Sequence, residues 1–393
     1  MTERFDLVIA GGGPSGSAAA WQAAQTGAKV VVLDKAVFPR DKPCGDGLTA
    51  RAVGYLQKMG LADEVAEFHR INRVTVYSPS RWELSFPKRP GMPDHGHTAS
   101  RTELDMLLLK HAESAGAVVR EGAEVTGPIL DERGRVTGVT LRSGEQVHGD
   151  AVIAADGAYS PVKRALKIDS EFNGYAAVAI RSEMDAVRPD SDSFDIYLKL
   201  KFQGDQLPGY GWVFPMGGGR VNVGLGYVTS YKDWQSINAT GFLGDFLRTL
   251  PREWELPAIE ELKKNKSVRA WRLPMGFTAW PPWRPGVLFT GDSLGAGKPA
   301  SGAGISKALE SGLAAGECAI AALENGGPDD FTNYANRMEA AWGKEYRRGR
   351  YMHKLIGYPA AANVGIKLLD NARIRDTILK AAYRRAEGPQ HKY

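Results

Sequence analysis

The chain opens with Phe5 to Ala10, FDLVIA, a largely apolar run rich in β-former residues that leads straight into Gly11-Gly12-Gly13-Pro14-Ser15-Gly16. Such a run suits a strand buried in a parallel sheet. Gly11, Gly13 and Gly16 have the spacing of a dinucleotide-binding turn. The first glycine permits the tight turn, the second lets backbone approach a pyrophosphate, and the third lets helix and strand pack closely. The segment that follows, SGSAAAWQAAQTG, predicts a helix of small residues whose N-terminal N–H groups and dipole favour phosphate. A second strand, Lys29 to Leu33, ends at Asp34, where an acid accepts a hydrogen bond from a ribose hydroxyl. Strand, turn, helix, strand and acid in this order predict an α/β domain of the Rossmann type that binds a dinucleotide.

Two later segments bear on which dinucleotide. Ala151 to Ser160, AVIAADGAYS, is an apolar strand ending in Asp156-Gly157, and Gly286 to Ser293, GVLFTGDS, is another ending in Gly291-Asp292. Alone, D-G and G-D are common turn dipeptides. Their order after the glycine turn, with Gly302-Ala303-Gly304-Ile305 and a helix-like stretch behind them, resembles the glutathione-reductase-type FAD fold of the aromatic hydroxylase class. That resemblance implies non-covalent FAD. It assigns Asp292 to the ribityl chain, the Gly302, Gly304 and Ile305 backbone to the flavin, and Arg101 to the phosphates and ribityl chain. It further implies cofactor contacts from Pro14, Ser15, Lys35, Arg40, Cys44, Gly45, Val125, Asp156, Gly157 and Gly291. No second glycine fingerprint is present for a dedicated nicotinamide domain. NAD(P)H is therefore expected only as a transient donor, with another reductant or an electron-donor protein as the alternative.

Two motifs narrow the reaction. The loop Pro43-Cys44-Gly45-Asp46-Gly47-Leu48-Thr49 and the segment Pro208-Gly209-Tyr210-Gly211-Trp212-Val213-Phe214-Pro215 resemble signatures of the geranylgeranyl reductase family. The resemblance runs from Gly11 to the helices after Gly304. It implies an FAD-dependent reductase of carbon–carbon double bonds in a prenyl or similarly hydrophobic substrate. Hydride would reach one alkene carbon from reduced flavin and a proton the other, with Cys44 and Tyr210 as candidate catalytic residues. A thiol of ordinary acidity is largely protonated at neutral pH, which suits a donor. Tyr210, Trp212 and Phe214 alternate, so one strand face would carry all three as a slot for the substrate. Ala303 departs from the acid this family usually carries in Gly-Glu-Gly-Ile, which leaves the substrate open. The competing expectation is an FAD-dependent monooxygenase or halogenase acting on an aromatic or natural-product substrate, since these share the glycine, D-G and G-D motifs.

Composition bounds the remaining possibilities. With 393 residues, 43% hydrophobic and 24% charged, the chain can bury a large core around more than one centre. No apolar run approaches the roughly 18 residues that cross a bilayer, and no export signal is evident. Two distant cysteines, Cys44 and Cys318, make no disulfide framework, so a cytoplasmic location is expected. The seven histidines are scattered and predict no metal site; His95 and His97 read as solvated. Net charge is +5, with basic residues gathered late in the chain, among them Arg347, Arg348, Arg373 and Arg375. The plain reading is a solvated helix face, and the functional one is peripheral contact with anionic lipid or a phosphorylated substrate. No basic motif interleaved with aromatics points to nucleic acid. The expected layout is an FAD domain from 1–70, 100–165 and 285–325, an antiparallel-sheet substrate domain from 71–99 and 166–284, and C-terminal helices from 326–393.

Overall fold

In the computed structural model, residues 3–377 are described, apart from 87, 89, 169–173, 188–190, 203, 300 and 326. The chain divides into two compact units, one of residues 1–42, 100–176 and 272–350, the other of 43–99, 177–271 and 351–393.

The first unit is the expected α/β layer. Its strands lie in the spatial order Val118–Arg120, Val30–Leu33, Arg4–Ala10, Gln146–Ala154 and Val287–Phe289, all pairing in parallel. In chain order that is 3-2-1-4-5, the doubly wound arrangement, with its switch point between Arg4–Ala10 and Gln146–Ala154. Leu7, Val8, Ile9, Val30, Val31, Val32, Ile153, Val287 and Leu288 are fully buried, which explains why these strands are apolar on both faces. An antiparallel pair, Val125–Leu130 with Val136–Leu141, extends the sheet from Gln146–Ala154.

Two helices on this sheet meet backbone to backbone. A Cβ added at Gly312, in helix Ile305–Glu324, would lie 2.2 Å from the Ser15 carbonyl oxygen. One added at Gly316 would lie 2.5 Å from that of Ala19, in helix Pro14–Ala24. Only glycine allows this approach, and it fixes one helix start relative to the other. A buried aromatic group made of Phe277, Trp342 and Tyr346 closes the unit, with ring centroids 4.6–5.6 Å apart. The Tyr346 hydroxyl donates to the Ala296 carbonyl, and that of Tyr334 to Phe289 O at 2.9 Å.

The second unit is built on a sheet ordered Arg269–Pro274, Ala176–Asp185, Arg220–Val228, Gly209–Gly217, Ser193–Tyr197, Arg73–Tyr77 and Arg81–Ser85. From Ala176–Asp185 onward its neighbours are antiparallel, as expected, except for Ser193–Tyr197 and Arg73–Tyr77, which run parallel. The parallel pair arises because the first of these strands reaches the sheet from a distant part of the chain rather than through a hairpin. Helix Ala239–Thr249 covers one face, placing Phe242, Leu243 and Phe246 against Val213, Val223 and Leu225. Each of these side chains contributes roughly 1.5–3 kcal/mol by leaving water.

Two boundaries differ from the expected layout. Residues 43–70 group with the second unit, because Gly47–Leu48 and His69–Ile71 both pair with Gly96–Thr98 in a small sheet of their own. The C-terminal helices form no separate body: residues to 350 group with the first unit and those from 351 with the second. The helices expected over 326–393 are described as far as 377, and the rest lies outside the described residues.

Candidate functional site

In the first unit the glycine turn is built to leave no room for side chains. Gly11 has φ +102°, and a Cβ on it would lie 2.4 Å from the Ala155 carbonyl oxygen. One on Gly16 would lie 1.8 Å from Gly11 O. Gly13 is different: its Cβ position is open but for the Arg40 guanidinium at 3.5 Å. The Asp34 carboxylate accepts from Gly12 N at 2.8 Å and from Ala36 N at 2.9 Å. The acid therefore shapes the turn as well as standing where a ribose is expected. Helix Ile305–Glu324 begins after Gly304 with no side-chain cap and no acid in its first turn. A Cβ on Gly304 would meet only Gly302 O, at 3.8 Å, so a ligand has space there.

Cations line this cradle. Buried Asp105 receives the Arg101 guanidinium through two bonds of 2.7 Å and the Arg40 guanidinium at 2.8 Å. Two cations on one carboxylate leave a net positive charge beside the open face of Gly13, which suits a pyrophosphate. Arg101 thus sits with the predicted phosphate group, but through Asp105, a partner the sequence reading missed. Its signal was present in the i,i+4 spacing of Arg101 and Asp105. Lys42 was also missed. Its ammonium lies 3.9 Å from Asp292 and 3.4 Å from the Cβ position of Gly157, so it joins the two acidic-turn motifs. Burial pushes Lys42 below the ordinary lysine range, and Asp292 partly opposes that. Gly291 holds φ +57° against Ser15, whose Oγ would be 2.6 Å from a Cβ there.

Asp156 tests whether these residues fit a polar cofactor. Its Oδ2 accepts from Ser160 Oγ at 2.7 Å and from Val162 N at 3.4 Å, whereas buried Oδ1 has no hydrogen-bond partner among the described residues. A buried acceptor left open calls for a donor from a ligand or water. Burial raises its pKa from 3.8 to about 6. The folded protein without cofactor therefore favours the protonated acid, and this stabilisation is lost as pH climbs from about 4 through about 6. Relative to wild type, Asp156→Asn should become more stable across that window, by up to about 3 kcal/mol. Urea unfolding of cofactor-free protein at several pH values measures this, and a pH-independent difference would contradict it.

In the second unit the Cys44 loop is held by one buried residue, Asn222. Its Nδ2 donates to Cys44 O at 2.9 Å and to Asp46 Oδ2 at 2.6 Å, while its Oδ1 accepts from Trp212 Nε1 at 2.8 Å. Asp46 is fully buried at φ +60°, and its carbonyl accepts from Ala99 N at 3.0 Å. The adjoining glycines lie flat on aromatic rings. A Cβ on Gly45 would be 3.4 Å from Phe214 and Trp212, and one on Gly47 3.2 Å from Phe194. Tyr210, Trp212 and Phe214 do share one face of strand Gly209–Gly217, with consecutive centroids 6.0 and 6.2 Å apart. Phe194 joins them at 4.5 Å from Phe214. Burial pushes the Tyr210 hydroxyl up to about 12, and the neighbouring Cys44 adds to this, so Tyr210 stays protonated.

The expected residues therefore fall into two groups. Gly11, Gly13, Pro14, Ser15, Gly16, Asp34, Arg40, Arg101, Asp156, Gly157, Gly291, Asp292, Gly302, Gly304 and Ile305 belong to the first unit, mostly at strand and helix ends. Lys35 is exposed beyond its strand, and Val125 is a core residue at the start of its own. Cys44 and Gly45 group instead with Tyr210, Trp212 and Phe214 in the second unit. Asn222 was missed because its signal, a polar residue in the strand RVNVGLGYV, resembles any half-exposed position.

Comparison with known proteins agrees with these features. Residues 4–341 match the family described as FAD binding domain. A menaquinone reductase of Mycobacterium tuberculosis is 35% identical over 320 residues, covering 81% of this chain and 77% of that protein. Digeranylgeranylglycerophospholipid reductase 1 of Methanopyrus kandleri is 31% identical, covering 87% of each. A geranylgeranyl bacteriochlorophyll reductase-like protein of Thermoplasma acidophilum has a crystal structure that aligns with TM-score 0.81 at 26% identity, covering 94% of this chain and 91% of that one.

Proposed function

The chain belongs to the geranylgeranyl reductase family of FAD-dependent oxidoreductases, and we propose that it saturates a carbon–carbon double bond in a polyprenyl chain carried by a quinone or lipid headgroup. The observation that carries this reading is the aromatic face of Tyr210, Trp212, Phe214 and Phe194, packed on the Cys44 loop. An isoprenoid offers no polar handle along its length. Flat rings and glycine backbone suit it, because they supply contact area without unpaired polar groups. The relatives named for menaquinone and for digeranylgeranylglycerophospholipid support the same substrate chemistry.

Bound FAD, once reduced, supplies the hydride. The chain must then place a proton on the second alkene carbon and keep water from competing. We assign that proton to the Cys44 thiol, whose loop Asn222 anchors, with the protonated Tyr210 hydroxyl as the neighbouring donor. In the first unit, Arg40 and Arg101, gathered by Asp105, would hold the cofactor's phosphates, and Lys42 and Asp292 would orient its ribityl side. The reductant is NAD(P)H bound transiently or an electron-donor protein.

The test is anaerobic. Dithionite-reduced holoprotein mixed with a menaquinone or a digeranylgeranyl lipid should reoxidise and yield product carrying two added hydrogens per reduced bond. A requirement for oxygen, with oxygen or halide incorporated, would replace this reading with the monooxygenase or halogenase. Cys44→Ser should keep FAD bound and reducible while lowering alkene reduction by about 10²-fold. Unchanged single-turnover rates would remove the thiol from the chemistry.

A further inference from the structure

Large apolar side chains are concentrated on one stretch of the surface. Of the thirteen exposed large hydrophobic residues among the described residues, seven fall between Tyr351 and Ile374. Singly scattered exposed apolar groups need no explanation, but a contiguous group does. Tyr351, Leu355, Tyr358 and Val364 are 84%, 50%, 69% and 56% exposed. Spacing puts Tyr351, Lys354 and Leu355 (i, i+3, i+4) on one face of helix Lys344–Ile356, and Val364, Lys367 and Leu368 (i, i+3, i+4) on one face of helix Pro359–Asp370, with Tyr358 exposed at the extended junction between them.

The stretch is held firmly by its opposite side. His353 is buried, and its carbonyl accepts from Ser230 Oγ at 2.8 Å. Asp370 accepts from Ser78 Oγ at 2.7 Å and from Ser80 N at 2.8 Å, and Arg375 lies over the Trp82 ring at 4.9 Å. The apolar face is therefore a presented surface of helices Lys344–Ile356 and Pro359–Asp370, fixed to the second unit's own elements.

Its charge identifies the occupant. Lys354, Lys367 and Arg373 are exposed among the apolar residues, and of the acids in this stretch Asp370 is engaged by the two serines. The sequence after 377 adds Lys380, Arg384, Arg385 and Lys392 against Glu387 alone. A second copy meeting this face about a two-fold axis would set cations against cations. An anionic bilayer complements both features: tyrosines and leucines enter the headgroup boundary, and lysines and arginines meet the phosphates. Among the described residues no helix is long and apolar enough to cross a membrane, so the contact is peripheral.

We propose that the face carried by Tyr351, Leu355, Tyr358, Val364 and Leu368, with Lys354, Lys367 and Arg373, docks the protein on anionic lipid bilayers. Docking on a bilayer does not depend on which double bond is reduced. Because its test reads binding in the absence of substrate, its failure would leave the reductase reading standing.

The full-length FAD-loaded protein is floated with phosphatidylcholine vesicles and with mixed phosphatidylcholine/phosphatidylglycerol vesicles. Binding is expected to the anionic vesicles, and to weaken strongly in about 1 M salt, where the screening length is about 3 Å. Lys354→Glu/Lys367→Glu/Arg373→Glu should lower vesicle affinity by roughly 100-fold. Tyr351→Ser/Leu355→Ser/Leu368→Ser should lower it comparably, while both variants keep the wild-type flavin spectrum and Tm. Absence of binding to anionic vesicles overturns the proposal, as does binding that survives both triple variants. A dimer that the serine variant dissociates, without vesicle binding by wild type, would instead make this face a contact between copies.

Discussion

Gly16→Ala is expected to yield folded protein that has lost FAD, with affinity lower by about 10²-fold or more. The added Cβ would stand 1.8 Å from Gly11 O, 3.0 Å from Gly11 C and 3.1 Å from the Ala155 Cβ. The first two neighbours are backbone of the turn itself, so no side-chain rotation relieves the overlap. Either the Pro14–Ala24 helix withdraws from the sheet or the turn opens, and both moves displace the N–H groups that would meet the pyrophosphate. The flavin-to-protein absorbance ratio after dialysis reads the loss. Gly27→Ala is the matched control: it also has a positive φ, +83°, but nothing lies within 4 Å of the new Cβ. It should cost about 1 kcal/mol of stability and retain FAD. Full flavin content in the Gly16 variant would refute the placement of the phosphate cradle.

Asn222→Leu is expected to be the most damaging single change in the second unit, costing about 3–5 kcal/mol of stability. The amide serves three partners at once: the buried Trp212 indole N–H, the buried Asp46 carboxylate and the half-buried Cys44 carbonyl. Leucine has nearly the same volume, so the loss comes from the hydrogen bonds removed rather than from a cavity, and the bond to the carboxylate is the costliest of them to lose. Where enough folded protein survives, FAD should still bind, because the cradle residues belong to the other unit. Alkene reduction should fall at least about 10-fold, because the backbone that carries Cys44 is no longer held. Asn222→Asp separates a positioning role from a merely structural one. It sets a second carboxylate against Asp46, so one of the pair must hold a proton. Reductase activity and stability should then both decline as pH rises through the neutral range, a slope wild type would lack. A flat pH profile in this variant, with wild-type turnover, would remove Asn222 from any part in positioning the loop.

The glycine turn, the strands flanking it and the acidic-turn motifs were legible in the sequence, because their requirements are met by residue type at fixed spacing along the chain. A β-branched run, three glycines and an acid can each do their work in one local geometry. The alternation of Tyr210, Trp212 and Phe214 was legible for the same reason, since the strand repeat puts every second residue on one face. The layout was less so: residues 43–70 follow the dinucleotide strands in sequence, yet their pairing partner is Gly96–Thr98. Nothing local in the sequence distinguishes that partner from another strand.

Residue type and spacing thus pointed to a dinucleotide bound at a Rossmann-type turn, and the resemblance carried by the later D-G and G-D motifs pointed to FAD. Only the tertiary structure decided which residues support the motifs. Asp105 gathers Arg40 and Arg101, Lys42 joins Asp292 to the turn at Gly157, and Asn222 reaches across 176 positions to Asp46. The reason is physical. A steric requirement at a tight turn is met by residue type alone, whereas a buried polar group depends on its partner, and only the folded chain brings partners together.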